Sequence, residues 1–174
     1  WDMVGSTTLR RCLPPDIYPA RMTRWLTDDA QRAWRAWIEA SMLLNQRLSA
    51  DLQRLHDLTL ADYEILVHLS EHSERRMRMS ELAEATLVSR SRLSHQVDRL
   101  VKRGFVERQE CDVDKRGSFA ALTSDGWTAI ETAAPDHVES VREHLVDVLG
   151  PKDFASLGNA CTTIAENLQA SEQE

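Results

Sequence analysis

Glycine is scarce in this chain, with six in 174 residues. Phosphate-cradling loops depend on glycine, and neither a GxGxxG run nor a P-loop occurs. A nucleophile elbow and an HExxH pair are also missing, so no enzymatic site can be read. Cysteine is scarcer still. Cys12, Cys111 and Cys161 stand far apart, in neither a disulfide framework nor a zinc spacing. They read as free thiols in a reducing cell. The carboxylates Asp112 and Asp114 beside Cys111 disfavour its thiolate. No apolar run approaches the ~18 residues of a membrane helix. Pro14 and Pro15 break any signal-like start, so a cytoplasmic chain without membrane contact is expected. The sequence opens at Trp1, and Met22 offers a native start. Residues 1–26 are therefore expected to be an extension, partly disordered or vector-derived.

Net positive charge is also lacking. The formal net charge is −7, which by itself argues against a nucleic-acid binder. Its distribution reverses that. Residues 75–116 hold eleven basic and seven acidic residues, a local excess of four, so the remainder carries −11. The local field over a docking face decides binding, so a basic module on an acidic body suffices.

That basic module contains the most ordered pattern in the chain, MSELAEATLVSRSRLSHQVDRLVKRGFVERQECDVDKRGSFAALT from Met79 to Thr123. Ser80 is a candidate N-cap for a short helix over Glu81 to Ala85. Ser89 can cap a second helix, which runs to Arg103 and stops at Gly104. Two helices joined by a tight polar turn form a helix-turn-helix. Phe105 and Val106, a polar turn around Asp112 to Gly117, and Phe119 to Leu122 then read as a hairpin. Together these make a winged helix. In the second helix Leu93, Val97, Leu100 and Val101 form a core stripe. Opposite stand Ser91, Arg92, His95, Arg99 and Lys102, with Gln96 on the flank. Arginine can pair with guanine O6 and N7, glutamine with adenine, and serine with bases or phosphates. An ordinary solvated helix face would look similar; the basic hairpin behind it favours DNA.

The flanks are long amphipathic helices. Thr27 can cap a helix that carries Asp28 and Asp29 in its first turn. Its stripe is Trp34, Trp37, Ile38, Ser41, Leu44, Leu48, Leu52 and Leu55. That is too long for a small winged domain to cover, and a second subunit is the simplest partner. A helix from Leu60 to about Glu71 follows, with Thr59 and Asp62 as a capping box. Tyr63, Leu66, Val67 and Ser70 fall on one side of it. Met77 to Met79 is a candidate third strand. Ser124 is expected to cap a long helix that Pro135 bends or divides. Val138, Val141, Leu145, Val148 and Leu149 continue its stripe to Gly150-Pro151. A last helix carries Phe154, Leu157, Cys161, Ile164 and Leu168.

These residues resemble the MarR-type (multiple antibiotic resistance regulator) family. The resemblance rests on SRSRLSHQVDRLVKRGFVER, Asp-x-Arg in the wing and the Leu-Thr-x-x-Gly at Leu122, Thr123 and Gly126. DYEILVHLSE upstream and APDHVESVREHLVDVL downstream fit as well, so most of the chain is covered. The resemblance implies that the second helix lies in the major groove. It places Arg116 in the minor groove, oriented by Asp114, with Lys115 where many relatives have a second arginine. The candidate DNA-contacting set is then Ser89, Arg90, Ser91, Arg92, Ser94, His95, Gln96, Arg99, Asp114, Lys115 and Arg116. It also implies an effector pocket, often for aromatic acids or drugs, with Trp34, Trp37, His56 and Tyr63 as candidate lining. Some relatives sense oxidants through a cysteine near the first helix, a place Cys12 does not match.

The expected architecture is mainly α with a small β-hairpin wing: a winged helix-turn-helix core between N- and C-terminal dimerisation helices. Residues 27–57 form the first dimerisation helix, 58–123 the DNA-binding domain, 124–170 the remaining dimerisation helices, and 171–174 a tail. The expected function is a sequence-specific regulator of transcription, a ligand-responsive homodimeric repressor on a pseudo-palindromic operator in double-stranded DNA. The alternative is a winged-helix interaction or sensory module that does not read DNA. His68 and His72 share a helix face with Glu64, but without a cysteine they read as exposed polar residues. No metal and no cofactor is expected.

Overall fold

The computed structural model describes residues 24–110 and 118–171. The expectations placed on residues 1–23, on Cys12, and on Cys111 to Gly117 with Asp114, Lys115 and Arg116 lie outside the described residues. The chain falls into two units, residues 1–39 and residues 40–174. The elements are α1 (Asp28–His56), α2 (Leu60–Glu71), β1 (Arg76–Arg78), α3 (Met79–Ala85), α4 (Arg90–Lys102), β2 (Val106–Glu110), β3 (Ser118–Leu122) and α5 (Ser124–Val141). A π-helical turn over Arg142–Val146 and α6 (Asp147–Ser171) complete the chain. Helices around a three-stranded antiparallel sheet of order β1-β3-β2 make a winged helix. None of the described helices is long and apolar enough to cross a membrane.

The caps explain where the helices begin. The amide of Ala30 donates to Thr27 Oγ1 at 3.2 Å, and the first turn holds Asp28 and Asp29. Thr59 and Asp62 form a reciprocal capping box at 3.1 and 3.2 Å. Two other starts differ from expectation. α3 begins at Met79, ahead of Ser80, because the Arg78 amide donates to the Glu81 carboxylate at 3.3 Å. α5 is capped by Thr123, not Ser124, with the Gly126 amide donating to Thr123 Oγ1 at 3.0 Å.

Two helix ends share one backbone motif. After α4 the Gly104 amide donates to Val101 O and the Phe105 amide to Leu100 O, both at 3.0 Å, with Gly104 at φ 78°. That is a Schellman ending, which needs a left-handed residue. α3 ends the same way, through Leu87 to Glu84 O and Val88 to Ala83 O. Here the left-handed residue is Leu87, at φ 53° and 87% exposed. A leucine there costs strain that a glycine would not.

The core lies under α4. Leu66, Leu69, Leu82, Leu93, Val97, Leu100 and Ala120 are wholly buried, with Ile65, Val106 and Ile130 almost so. α2 buries Tyr63, Ile65, Leu66 and Leu69. The stripe expected there omitted Ile65 and Leu69, because α2 packs against α4, α5 and β3 rather than on one surface. Val101, expected in the core, is 37% exposed. β1 covers Arg76–Arg78, one residue before the strand expected, and pairs with β3 through Met77 and Ala120. Pro135 does not divide α5, which is continuous to Val141. The break comes later, at Gly150 with φ 71° and ψ 168°, followed by Pro151.

The second half of α1 meets α5 through polar contacts. Ser140 Oγ donates to Asp51 Oδ2 at 2.9 Å, and His56 Nε2 lies 2.9 Å from Asp136 Oδ2. The Tyr63 and His137 rings stand 4.4 Å apart. The Ser140 hydroxyl holds the Asp51 carboxyl below the ordinary range, against the effect of burial, and Arg54 and Arg47 assist. Burial pushes the Tyr63 hydroxyl up, with help from Glu71. Burial also holds the His137 imidazole below its usual value. Its Nδ1 is buried with no hydrogen-bond partner among the described residues.

Two expected outcomes follow from this packing. A Cβ built on Gly126 would meet Phe105 O at 2.0 Å and Leu122 Cδ1 at 2.8 Å. Backbone cannot yield as a flexible side chain can, so Gly126→Ala should lower the unfolding free energy by about 3 kcal/mol or more, measured by urea denaturation. His137 carries a folded-state pKa below its unfolded one. The unfolded chain therefore takes up this proton first, near pH ~6.5, and stability falls as pH drops below that value. Asp51, depressed in the folded state, adds stability that is lost only at lower pH, around and below the ordinary carboxylate range. Wild-type stability should thus fall more between pH 7.5 and 5.5 than that of His137→Phe, compared by urea denaturation; parallel losses would exclude His137 as the cause.

Candidate nucleic-acid interface

α4 begins at Ser89, whose hydroxyl accepts from the Arg92 amide at 3.3 Å. Leu93, Val97 and Leu100 anchor its inner face. On the outside Ser89, Arg90, Ser91, Arg92, His95, Arg99 and Lys102 are exposed. Gln96 departs from the sequence reading. It is 8% exposed, because its position falls between the inner stripe and the start of α2. Thr59 and Ala61 from that start join Ser91, Arg92, His95, Gln96, Arg99 and Lys102 around a broad concavity.

The cations sort into two groups by their partners. Arg90, Arg92, His95 and Lys102 form no ion pair among the described residues. The others are held. Arg99 Nη2 donates to Asp62 Oδ1 at 3.3 Å. Arg103 donates to the Asp57 carbonyl at 2.7 Å and to its carboxylate at 3.3 Å. Its guanidinium also lies 4.7 Å from the Phe105 ring centre. Arg108 of β2 donates to Asp98 at 3.1 Å and to Ser94 Oγ at 3.0 Å. Ser94, expected to reach DNA, is thus half-buried and tied to the sheet. Behind the helix, Arg75 stacks 3.8 Å over Trp127, and Arg76 and Arg78 lie 5.2 Å from the Phe119 ring centre. Arg76 also bonds Glu74 at 2.8 Å.

Three of these holding roles were missed from the sequence. Asp62 was read only as a cap, and Arg103 and Arg108 only as positive charge. Nothing in residue spacing reveals partners that lie 37, 46 and 10 positions away.

The residues proposed for an effector pocket divide between the two units. Trp34 and Trp37, in residues 1–39, are 55% and 43% exposed. His56, in residues 40–174, borders a crevice too narrow to hold a water, with Leu48, Leu52, Asp136, His137 and Ser140. Tyr63 is 8% exposed and packs against His137 with the rings tilted 43° to each other. Among the described residues no three His, Cys, Asp or Glu side chains are grouped to hold a metal. His72 Nδ1 instead accepts from the Glu74 amide at 3.4 Å.

Comparison with known proteins agrees with the fold. The MarR family profile matches residues 56–117, the stretch from the end of α1 to the start of β3. The crystal structure of AbsC, a MarR family transcriptional regulator from Streptomyces coelicolor, is 50% identical, with a TM-score of 0.80, and the match covers 85% of this chain and 99% of AbsC. Sco3205, a MarR family regulator from the same organism crystallised in complex with DNA, is 45% identical with a TM-score of 0.84, over 87% of this chain and 95% of its own. An HTH-type transcriptional regulator of Bacillus cereus is 25% identical over 138 residues, which span 78% of this chain and 90% of that protein. These relatives are regulators rather than enzymes. With half of the matched residues identical to AbsC over nearly the whole of that protein, the chain belongs to the MarR family of transcriptional regulators.

Proposed function

We propose that the chain is a sequence-specific, double-stranded DNA-binding transcription regulator, with α4 in the major groove and Arg116 reaching the minor groove. The observation that carries this reading is the α4 face itself. Arg90, Arg92, His95 and Lys102 are exposed and make no ion pair among the described residues, while neighbouring arginines hold the helix in place. An exposed ion pair is worth only ~0–1 kcal/mol, so a row of exposed cations without partners contributes little to folding. Toward phosphates and base edges the same row is worth far more. Sco3205, at 45% identity, was crystallised with DNA, which supports the same reading.

The regulator works in the cytoplasm as a two-fold dimer on a pseudo-palindromic operator. Residues 27–57 and 124–170 form the dimerisation helices around the 58–123 domain. α6 supports this, since it buries none of its residues and leaves Val148, Ile164 and Leu168 at 72, 55 and 62% exposed. Repression and release by a small aromatic effector complete the proposal.

Binding to the DNA upstream of its own gene, against random duplex, tests it. Arg92→Ala should cost about 1–3 kcal/mol on the operator and relax its sequence preference. Arg116→Ala should weaken operator binding at least about tenfold and reduce the slope of log affinity against log salt by about one. Full-length protein should sediment as a dimer at micromolar concentration. A dimer that binds operator and random DNA alike would leave a winged-helix interaction module as the function.

A further inference from the structure

We propose that Asp62 is a positioning residue for DNA reading, which holds Arg99 of α4 in the orientation that meets the operator; the inference rests on the DNA-reading function above. Asp62 is 4% exposed, and its two oxygens do different things. Oδ2 accepts from the Thr59 amide at 3.2 Å and caps α2. Oδ1 accepts from Arg99 Nη2 at 3.3 Å. Capping alone does not need a charge, since a neutral amide oxygen accepts the same amide proton. A buried carboxylate is costly unless it is paired, and the partner here is Arg99.

The pair is asymmetric. The Asp62 side chain is 6% exposed and that of Arg99 57%. A guanidinium has five N–H donors, and the bond to Asp62 uses one. The remaining donors belong to a side chain that borders the concavity with Arg92 and His95. A long side chain fixed before binding loses less freedom when DNA arrives. Arg103, one turn on at the C-cap of α4, is held chiefly by the Asp57 backbone carbonyl at 2.7 Å. Asp57 in the α1–α2 turn and Asp62 in the first turn of α2 thus grip α4 and its C-cap one turn apart.

A simple counter-charge would act differently. It would weaken attraction to every DNA sequence by lowering the local positive field. A positioning carboxylate favours only the DNA that the fixed geometry fits.

Asp62→Asn separates the two. The amide oxygen can still cap α2 and the backbone amide still reaches Thr59 Oγ1, while the pair with Arg99 is lost. Affinities for operator and random duplex would be measured by fluorescence anisotropy at one salt concentration. The expected result is a fall of about fivefold or more in the operator-to-random ratio, with random binding unchanged or tighter, the size set by one long side chain losing its restraint. In an Arg99→Ala background the same change should not move the ratio. Equal tightening on both DNAs would make Asp62 a counter-charge and overturn the proposal. So would a ratio that still falls without Arg99. If Asp62→Asn does not fold as the wild type does, Arg99→Lys carries the test. It keeps the charge but not the planar fork that Asp62 holds, and must lower the ratio; an unchanged ratio overturns the proposal. A wild-type protein without operator preference would overturn the functional reading and this inference together, whereas a normal wild-type ratio that Asp62→Asn leaves unmoved overturns only the inference.

Discussion

The fold depends on a backbone joint at Gly104, where α4 ends. The Thr123 hydroxyl donates to Gly104 O at 2.7 Å and accepts from the Gly126 amide. The Thr123 amide donates to Phe105 O at 3.1 Å. One residue thereby ends α4, begins α5 and closes the sheet between them. The joint works only because Gly126 lets backbone approach backbone, and because Gly104 accepts a left-handed turn without strain. Were it loosened, α4 could stay helical and still lose its angle to the wing.

Around that joint the arginines perform two kinds of work. Arg75, Arg99, Arg103 and Arg108 lie against Trp127, Asp62, Asp57 and Asp98. Arg90, Arg92, His95 and Lys102 do not pair in this way among the described residues. The local excess of positive charge therefore overstates how many cations face outward without partners. It also explains how a chain with net charge −7 keeps a docking face. Several acidic residues near α4 are spent holding arginines, so they do not oppose the outward ones.

The winged architecture was legible because it rests on local signals. Ser89, the Leu93-Val97-Leu100 spacing and Gly104 each act within a turn or two, and the capping box at Thr59 and Asp62 spans three residues. Ser80 and Ser124 misled because a competing cap won next to each. Glu81 reached back to Arg78, and Thr123 already had a second bond to Gly104. Gln96 misled because a helical wheel places a residue on a flank without saying what packs there. Pro135 does not divide α5, because a helix can tolerate one missing donor. The pairings of Arg99, Arg103 and Arg108 were not legible, since tertiary partners leave no period in a sequence. The wing residues Asp114 to Arg116 rest on family resemblance alone.

The π-helical turn at Arg142–Val146, closed by the Asp147 amide on Arg142 O, bears on how the carboxy-terminal helix is aimed. A single widened turn admits one extra residue and advances the angular phase of everything beyond it by about 100°. The apolar positions of α5 and those of α6 therefore do not lie on one meridian, although the sequence spacing suggests a single stripe from Val138 to Leu149. The direction in which Phe154, Ile164 and Leu168 look is written in these five residues and the bend at Gly150. A one-residue deletion within 142–146 would swing that apolar face by a quarter-turn or more while α4 kept its place. Length, rather than composition, is thus the quantity constrained in this segment.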